Sequence, residues 1–174
     1  MTNKKIFFDF EFTGLHRNTT PISFGAIKED GSKFYYEFND YNKFQIDEWL
    51  QKNVINNLNK NIPNDVDYDI GNRKNFKRLF LAWLGKKDIY EFYGDVIAHD
   101  WVLFIDLLAD YFDGYPKLPA SIYYIPFDLA TLFKAKGIDP DISRAGFSEI
   151  PDMVVHNALH DAMTIKLCYD KLNK

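Results

Sequence analysis

The sequence contains one cysteine, Cys168, so the chain cannot form an internal disulfide. A lone cysteine is typical of proteins from a reducing compartment. Long apolar runs are also missing, and no stretch approaches the roughly 20 apolar residues that a membrane-spanning helix needs. Asp9 interrupts the first apolar run too early for a signal peptide. We therefore expect a cytoplasmic protein with no membrane partner.

An excess of positive charge is absent as well. The 21 Lys and Arg residues are outnumbered by 25 Asp and Glu residues, which gives a net charge of −4. This balance argues against a large face that binds duplex nucleic acid independently of sequence. It does not exclude an enzyme that holds a few nucleotides at a strand end, because metal ions can supply the positive charge. The length of 174 residues predicts one domain, 1–174, with a sizeable core.

Two acids lie within the strongly apolar segment IFFDFEFTGL, residues 6–15. Its aromatic content and the Thr13-Gly14 turn predict a buried strand. Side chains alternate along a strand, so Asp9 and Glu11 share one face, roughly 6–7 Å apart. Two buried carboxylates this close repel each other. They either pair with Lys or Arg, lie at a hydrated strand end, or bind a divalent cation together.

The rest of the chain alternates between strand and helix patterns. Residues 22–40 are typical of a hairpin, and strand character returns at 88–100 and at the start of 122–137, which then becomes a short helix. Helical spacing recurs in four segments: 46–59, 75–85, 101–112 and 156–172. Two polar stretches are predicted to be loops: 60–74 and 138–155. This order predicts an α/β fold with a mixed five-stranded sheet, in which three antiparallel strands precede βαβ units and helices cover both faces.

Asp100 stands where a predicted strand ends and a helix begins. Asp is among the best N-cap residues, so helix capping explains Asp100 when it is taken alone. Strand ends in α/β sheets are also where functional sites gather, so its side chain can instead point towards the end of the first strand.

The last predicted helix carries a carboxylate within its apolar stripe. At about 100° per residue, Asp161 falls inside the stripe formed by Ala158, Ala162, Ile165, Tyr169 and Leu172. A carboxylate that faces the core needs a partner, either a basic side chain or a metal ion. His160 lies towards the polar side and is predicted to be solvated. His156 precedes the helix, where it either caps the helix, lies on the surface, or reaches the region of Asp161.

Together these residues form a candidate acidic quartet with an accompanying histidine: Asp9, Glu11, Asp100, Asp161 and His156. Hard divalent cations such as Mg²⁺ and Mn²⁺ prefer carboxylate oxygens as ligands. Two such ions roughly 3.5–4 Å apart support in-line displacement at phosphorus. The quartet therefore favours metal-dependent phosphoryl chemistry.

Two segments resemble motifs of the DEDD 3′–5′ exonucleases of the RNase H-like superfamily, in the branch with a catalytic histidine. DFEFTGL at 9–15 is similar to the first motif, DxExTGL, and HNALHD at 156–161 is similar to the third, HxAxxD. The resemblance extends from residue 6 to about residue 170, and the predicted strand order is also that of the family. It implies an RNase H-like exonuclease fold.

The second motif departs from the usual family pattern. Most members have a His-Asn start and an Asp five residues after that His. Here AHDWVLFIDLL at 98–108 puts Asp100 directly after His99 and Phe104 at the fifth position, with Asp106 two positions further on. We prefer Asp100 as the third acid, because an exoribonuclease-like branch of bacteria and phages carries a similar AxD before a helix. Asp106 would lie more than a turn into the helix.

The resemblance implies a two-metal active site. Two Mg²⁺ or Mn²⁺ ions would be held by the four acids, with Asp9 bridging both, and His156 would act as general base on the attacking water. The implied reaction removes nucleoside 5′-monophosphates from the 3′ ends of single-stranded nucleic acid. Thr13, Gly14 and Leu15 match the segment that cradles the terminal nucleotide in the family, with Leu15 wedged between the last bases.

Several features of the substrate stay open in the sequence. RNA is slightly preferred over DNA, because of the second-motif branch and the lack of a polymerase-linked region. Phe12 is predicted to face the core. Four basic residues either bind the phosphate backbone of the substrate or lie on a plain solvated surface: Lys74, Lys77, Arg78 and Arg144. Family members of this size often form homodimers, so a homodimer is also consistent with the resemblance. The alternatives are a non-catalytic nucleic-acid- or protein-binding module and a phosphodiesterase or endonuclease on the same scaffold.

Overall fold

A mixed six-stranded β-sheet forms the centre of the protein, as seen in a computed structural model that describes residues 3–149 and 153–174. The eight strands are β1 (Lys4–Phe12), β2 (Pro21–Lys28), β3 (Lys33–Phe38), β4 (Val66–Gly71), β5 (Tyr90–Gly94), β6 (Asp110–Phe112), β7 (Tyr115–Lys117) and β8 (Phe127–Asp128). The helices are α1 (Glu48–Asn53), α2 (Arg73–Leu84), α3 (Ala98–Leu108), α4 (Leu129–Ala135), α5 (Arg144–Ser148) and α6 (Ala158–Leu172). Short 3-10 turns at Lys43–Gln45 and Ile55–Asn57 flank α1.

The strand order in the large sheet is β4-β3-β2-β1-β5-β8, while β6 and β7 form a separate hairpin. The first three strands pair antiparallel, and β4, β5 and β8 each pair parallel with their neighbours. The predicted α/β class and mixed sheet are confirmed, with six strands instead of five. Because β1, β3, β4 and β5 all run in the same direction, their carboxyl ends lie at one edge of the sheet.

The additional strand, β4, occupies part of the stretch 60–74 that was predicted to be a loop. The strand has the sequence VDYDIG, which alternates apolar and acidic residues but is short and lies within a polar stretch; four of its six residues, 67–70, are exposed. It forms through parallel pairing with β3 at the edge of the sheet, a tertiary contact that local pattern does not report. At the other edge, the strand expected from residue 122 is reduced to a bridge between Ile122 and Tyr90, followed by the short β8.

Helix boundaries differ from the predictions at several ends. The helix α2 starts at Arg73, two residues before the predicted start at Asn75, because Asn72 is its N-cap; the Asn72 side chain accepts from the Asn75 backbone N–H at 3.0 Å. The helix α3 starts three residues before the predicted 101 and ends at Leu108, where the chain enters the β6–β7 hairpin. The helix α5 lies within the predicted loop 138–155.

The strand β1 is covered on both faces, as its apolar character predicts. Ile6, Phe8 and Phe10 are buried in the main core with side chains of α2 and α3. Phe7 lies in a second cluster on the opposite face, with side chains of α4 and α6. The acids of β1 share the α6 face with Phe7, because side chains of a strand alternate. Among the described residues, no helix is long and apolar enough to cross a membrane.

Candidate active site

A cleft of about 440 Å³ opens at the carboxyl edge of the sheet, where β1 and β5 end. Five carboxylates line it: Asp9, Glu11, Asp95, Asp100 and Asp161. No Lys or Arg is among its lining residues within the ranges that the structure describes. The structure thus brings together the four predicted acids and His156 from three separate parts of the chain.

Asp100 belongs to this cleft and does not cap its helix. It lies in the first turn of α3, is 7% exposed, and the N-cap position falls on Ile97, which makes no side-chain cap. One oxygen of the Asp100 carboxylate accepts a hydrogen bond from the Phe10 backbone N–H at 3.0 Å. The capping interpretation was therefore wrong. This hydrogen bond ties α3 to β1 at the point where Asp9 and Glu11 emerge.

The alternative third acid, Asp106, lies elsewhere. Its side chain is exposed, and its carboxylate accepts a hydrogen bond from the Tyr111 hydroxyl at 3.0 Å. It is not among the described residues that line the cleft. Asp106 thus lies about 1.7 turns further along α3 than Asp100, away from the other acids.

A close approach between α6 and β2 delivers Asp161 to the cleft. Gly25 lies opposite Asp9 in the β1–β2 pairing. A Cβ atom on Gly25 would collide with backbone atoms of Ala158 and Leu159, so only glycine permits this contact. The first turn of α6 thereby rests directly on the sheet. Asp161 lies in this turn, which places its carboxylate beside that of Glu11.

His156 precedes α6 in a left-handed backbone conformation, with φ at +60°. Left-handed residues other than glycine are uncommon and are often found at functional sites. The His156 backbone N–H donates to the Asp161 carboxylate at 3.0 Å, which fixes the turn. Its ring nitrogen and one oxygen from each of Glu11 and Asp161 all lie within 4.8 Å of one another. The imidazole is therefore directed into the acidic cleft, and the alternatives of a helix cap or a surface residue do not describe it.

His160 contradicts the prediction of a solvated side chain, because it is only 4% exposed. Its Nδ1 accepts from the Val154 backbone N–H at 2.9 Å, and its Nε2 lies 3.2 Å from the Asn61 carbonyl oxygen. Because Nδ1 accepts, Nε2 is the ring nitrogen that can donate to this carbonyl oxygen. His160 thus holds the segment before His156 against the loop after α1. Helical spacing alone missed this role, because the covering segments come from distant parts of the chain.

Burial raises the pKa values of the acids in the cleft. Burial, supplemented by the charges of Asp100 and Asp161, raises the pKa of Asp9 well above its ordinary value. Burial likewise raises the pKa of Asp100 to about 6 and that of Asp161 to about 7, although backbone hydrogen bonds oppose both shifts. Burial also lowers the pKa of His156, which favours a neutral imidazole at pH 7. A divalent cation would relieve the repulsion, so the donor set fits a metal site.

The turn after β1 supplies one wall of the cleft. Gly14 and Leu15 line it, and Leu15 is 80% exposed. Thr13 is buried instead: its hydroxyl donates to Gln45 at 2.6 Å and accepts from the Thr20 backbone N–H at 2.9 Å. The Thr13 side chain therefore braces the turn and does not face the cleft. Phe12 is partly buried against the main core, as predicted, and its ring also stacks on His99.

Three lining residues were missed by the sequence reasoning. Trp49 of α1 is half-exposed, and its ring meets the His156 ring edge-on at a centroid distance of 5.0 Å. Val96 is 71% exposed and has a left-handed backbone, which is unusual for a β-branched residue. Asp95 forms a bidentate ion pair with Arg144: Nε and Nη2 of Arg144 donate to the two carboxylate oxygens at 2.7 and 2.9 Å. The left-handed backbone of Val96 has no sequence signature, and Trp49 was interpreted only as part of a helix stripe.

The predicted track cations differ in their surroundings. Arg144 forms an ion pair with Asp95, which holds α5 against the loop after β5. Lys77 forms an ion pair with Asp110 at 2.6 Å. Lys74 and Arg78 are exposed.

Two proteins of known structure are similar in fold to this chain. No protein-family model matches the sequence, and no curated protein matches it either. The chain is similar in structure to S. pombe Pop2p in its Mg²⁺- and Mn²⁺-bound form, with 15% identity and a TM-score of 0.58. That alignment covers 97% of this chain and 82% of Pop2p. The chain is also similar to the catalytic unit of Neurospora crassa Pan2, which comprises a protease and a nuclease domain.

The Pan2 alignment has 16% identity and a TM-score of 0.50, and it covers 98% of this chain but only 27% of the Pan2 unit. At such identities the likeness establishes the fold and nothing finer. The chain shares its α/β fold with these two proteins. The chain has the α/β fold of the RNase H-like exonucleases.

Proposed function

We propose that this protein is a metal-dependent 3′–5′ exonuclease that removes nucleoside 5′-monophosphates from single-stranded nucleic acid. The observation that carries the proposal is the convergence of Asp9, Glu11, Asp100, Asp161 and His156 in one cleft that no Lys or Arg of the described residues lines. The fold adds support, because one structural neighbour includes a nuclease domain and another binds Mg²⁺ and Mn²⁺.

The four acids would hold two Mg²⁺ or Mn²⁺ ions, with Asp9 bridging them. Ligands of one Mg²⁺ lie about 2.0–2.1 Å from it, so opposite ligands are about 4 Å apart. One carboxylate oxygen of Glu11 and one of Asp161 lie within 4.8 Å of each other, which is close to this spacing. Bound there, the ions would supply positive charge to the scissile phosphate and acidify a water molecule.

His156 is the proposed general base. Its lowered pKa keeps the ring neutral near pH 7, so Nδ1 or Nε2 can accept a proton from the attacking water. The resulting hydroxide forms the new bond to phosphorus, and the bond from phosphorus to the 3′ oxygen of the shortened strand breaks. That oxygen keeps the electron pair and takes up a proton from water, which gives the new 3′ hydroxyl. The products are a nucleoside 5′-monophosphate and a strand that is one nucleotide shorter.

The walls of the cleft suit the terminal nucleotide. Gly14 exposes backbone to the cleft, and Leu15 presents an apolar side chain that can part the last two bases. Trp49 offers a half-exposed aromatic ring next to His156. Aromatic faces stack on bases of any identity. This arrangement supports substrate recognition without a preference for particular bases.

RNA is our preferred substrate over DNA, and the bacterial and phage exoribonuclease-like branch is the preferred relationship. Both rest on the second motif, AHDW at 98–101, and stay predictions. A cytoplasmic location, a single domain and a homodimer are likewise predictions. A non-catalytic binding module is disfavoured, because the complete set of acids would then remain buried at an energetic cost without use. A phosphodiesterase or endonuclease on the same scaffold is the second candidate.

One assay separates these functions. A single strand labelled at its 5′ end, as RNA and as DNA, is incubated with Mg²⁺, with Mn²⁺ or with a chelator. We expect a ladder that shortens from the 3′ end, that is lost with the chelator and with Asp9→Ala, and that forms faster on RNA. Cleavage without a ladder would indicate an endonuclease. Intact strands under every metal condition would refute the proposal.

A further inference from the structure

Two further clefts continue from the active-site cleft along α3. The second, of about 370 Å³, shares Ala98 and His99 with the active-site cleft and extends to Asp106. The third, of about 310 Å³, shares Asp106 with the second and reaches the start of α2. Since β4 runs parallel to β1 through β3, α2 starts at the same sheet edge as the acids. The three clefts therefore form one path along this edge.

Basic side chains line this path beyond the active site. We name the set of basic residues in the second and third clefts the α3 track: His16, Arg17, His99, Arg73, Lys74 and Lys77. Asp106 is the one acid among their lining residues in the described part of the chain. In a protein with a net charge of −4, this concentration of basic groups beside an acidic cleft is a local reversal of charge.

Two cations of the α3 track are available to a ligand. Arg73 and Lys77 already face carboxylates, Asp40 at 3.7 Å and Asp110 at 2.6 Å. Within residues 3–149 and 153–174, neither Arg17 nor Lys74 has a carboxylate within 4.0 Å. Both side chains are exposed. An unpaired guanidinium or ammonium can bind a phosphate without first breaking an internal ion pair.

The part of the track next to the active site is held in place. Thr13 fixes the loop that carries Arg17 by its hydrogen bonds to Gln45 and Thr20. The ring of His99 stacks on Phe12 at a centroid distance of 5.7 Å and an angle of 18°. A binding surface that is ordered before the ligand arrives loses less conformational entropy on binding. These contacts therefore indicate a preorganised binding surface and not a set of unrelated surface residues.

We propose that the α3 track binds the phosphates of the single strand that lies upstream of the scissile bond. This inference rests on the exonuclease function proposed above and specifies its substrate. From His99 to Asp106 the path follows α3 for about 10 Å, at about 1.5 Å per residue. A dinucleotide or a small phosphodiester fills only the active-site cleft, whereas a strand of several nucleotides reaches Lys74. The preferred substrate is thus a longer single strand.

The test compares a long substrate with a short one. The substrates are an RNA strand of about 12 nucleotides, within the range that single-strand sites cover, and a dinucleotide. The variants are Arg17→Ala/Lys74→Ala and, as matched control, Lys136→Ala, an exposed lysine just after α4 on the other face of the sheet. We expect the double variant to lower the ratio of kcat/KM for the long strand to that for the dinucleotide at least about tenfold. The control should leave this ratio unchanged.

Asp106→Asn should change kcat/KM for the long strand in the opposite direction. Removing this negative charge should raise kcat/KM for the long strand and leave the number of phosphate contacts unchanged. In the double variant, by contrast, the slope of log KM against log salt concentration should fall by about 0.7 for each lost contact. A ratio that stays at the wild-type value in the double variant, or that falls equally in the Lys136→Ala control, would overturn the track.

Binding without catalysis separates this proposal from the proposed function. The affinity for the same labelled RNA strand is measured by fluorescence anisotropy in the presence of a chelator, where no cleavage occurs. If the wild-type protein binds the strand and the double variant binds it at least about tenfold more weakly, the track stands even if no strand is ever shortened. If the protein shortens strands but the two proteins bind equally, the track fails while the exonuclease function stands.

Discussion

At the scale of single residues, alternation along β1 was enough to place Asp9 and Glu11 on one face. The cluster they join could not be derived in the same way. Asp100 has the sequence context of a helix cap, and only the tertiary hydrogen bond from Phe10 shows that it faces the other acids. His160 has the helical position of a solvated residue, but it is buried, and one of its ring nitrogens meets Asn61, which lies 99 residues earlier in the chain. Local pattern predicts orientation well, but it does not report which distant segment covers a side chain.

His156→Ala tests the role of the histidine. Loss of a general base should lower kcat by about 10²–10⁴-fold. If the ring only accepts a proton, the affinity for Mn²⁺ should change little. Metal affinity is measured by titration calorimetry on the same variant. Because the ring lies near Glu11 and Asp161, a large loss of Mn²⁺ affinity would show instead that His156 is itself a ligand.

Asp100→Asn tests the third acid. The substitution keeps the size of the side chain and an oxygen that can accept from Phe10, so the fold should persist while metal-dependent kcat falls at least about a hundredfold. Circular dichroism and strand-shortening rates are measured together. If Asp106→Asn abolished the activity while Asp100→Asn spared it, the assignment of the third acid would be wrong.

At the scale of elements, the strands and helices that bury apolar side chains were predicted from the sequence. The elements that bury few side chains were not. The apolar stripe of α6 and the strand pattern of β1 lie in the sequence. The edge strand β4 and the five-residue α5 were missed, since β4 exposes four of its six residues and α5 buries none of its own. The close approach of α6 to the sheet was also not predicted, because it depends on the absence of a side chain at Gly25.

Gly25→Ala should displace α6 from the sheet. The added Cβ meets backbone atoms, which cannot rotate away, so we expect a loss of stability of about 1–3 kcal/mol or more. Metal-dependent activity should fall further than stability explains, because Asp161 moves with the helix. Gly146→Ala within α5 is the matched control: its Cβ meets only ordinary contacts, and alanine favours a helix by up to about 1 kcal/mol. Chemical denaturation and strand-shortening rates are measured for both; equal behaviour would contradict the role of Gly25.

At the scale of the whole molecule, stability and function are opposed through the acidic cleft. The pKa values of Asp9, Glu11, Asp100 and Asp161 are all raised, mainly by burial. For an acid with a raised pKa, the folded state binds protons more tightly than the unfolded state does. The resulting contribution to stability is full below the unfolded pKa, near 4, and is lost as pH rises through the folded values, about 6 and 7 for Asp100 and Asp161.

The metal-free protein should therefore melt at a lower temperature at about pH 8 than at about pH 5, and Mn²⁺ should restore the Tm at the higher pH. Asp9→Asn removes one of the repelling charges. This variant should have a higher Tm than wild type in chelator at the higher pH, by a few degrees for each kcal/mol, and a smaller gain with Mn²⁺. Thermal melts monitored by circular dichroism measure all five Tm values. A lower Tm for the metal-free variant would contradict the repulsion.

The position of Trp49 gives the molecule a built-in optical reporter. Its indole ring is half-exposed and lies 5.0 Å from the His156 ring, whereas the other two tryptophans, Trp83 and Trp101, pack against the main core. The emission of an indole ring is sensitive to its solvent exposure and to charged neighbours. Protonation of His156, or a base stacked beside it, would thus change the fluorescence of Trp49 far more than that of the two core tryptophans. The state of the cleft can then be followed in unlabelled protein, in real time.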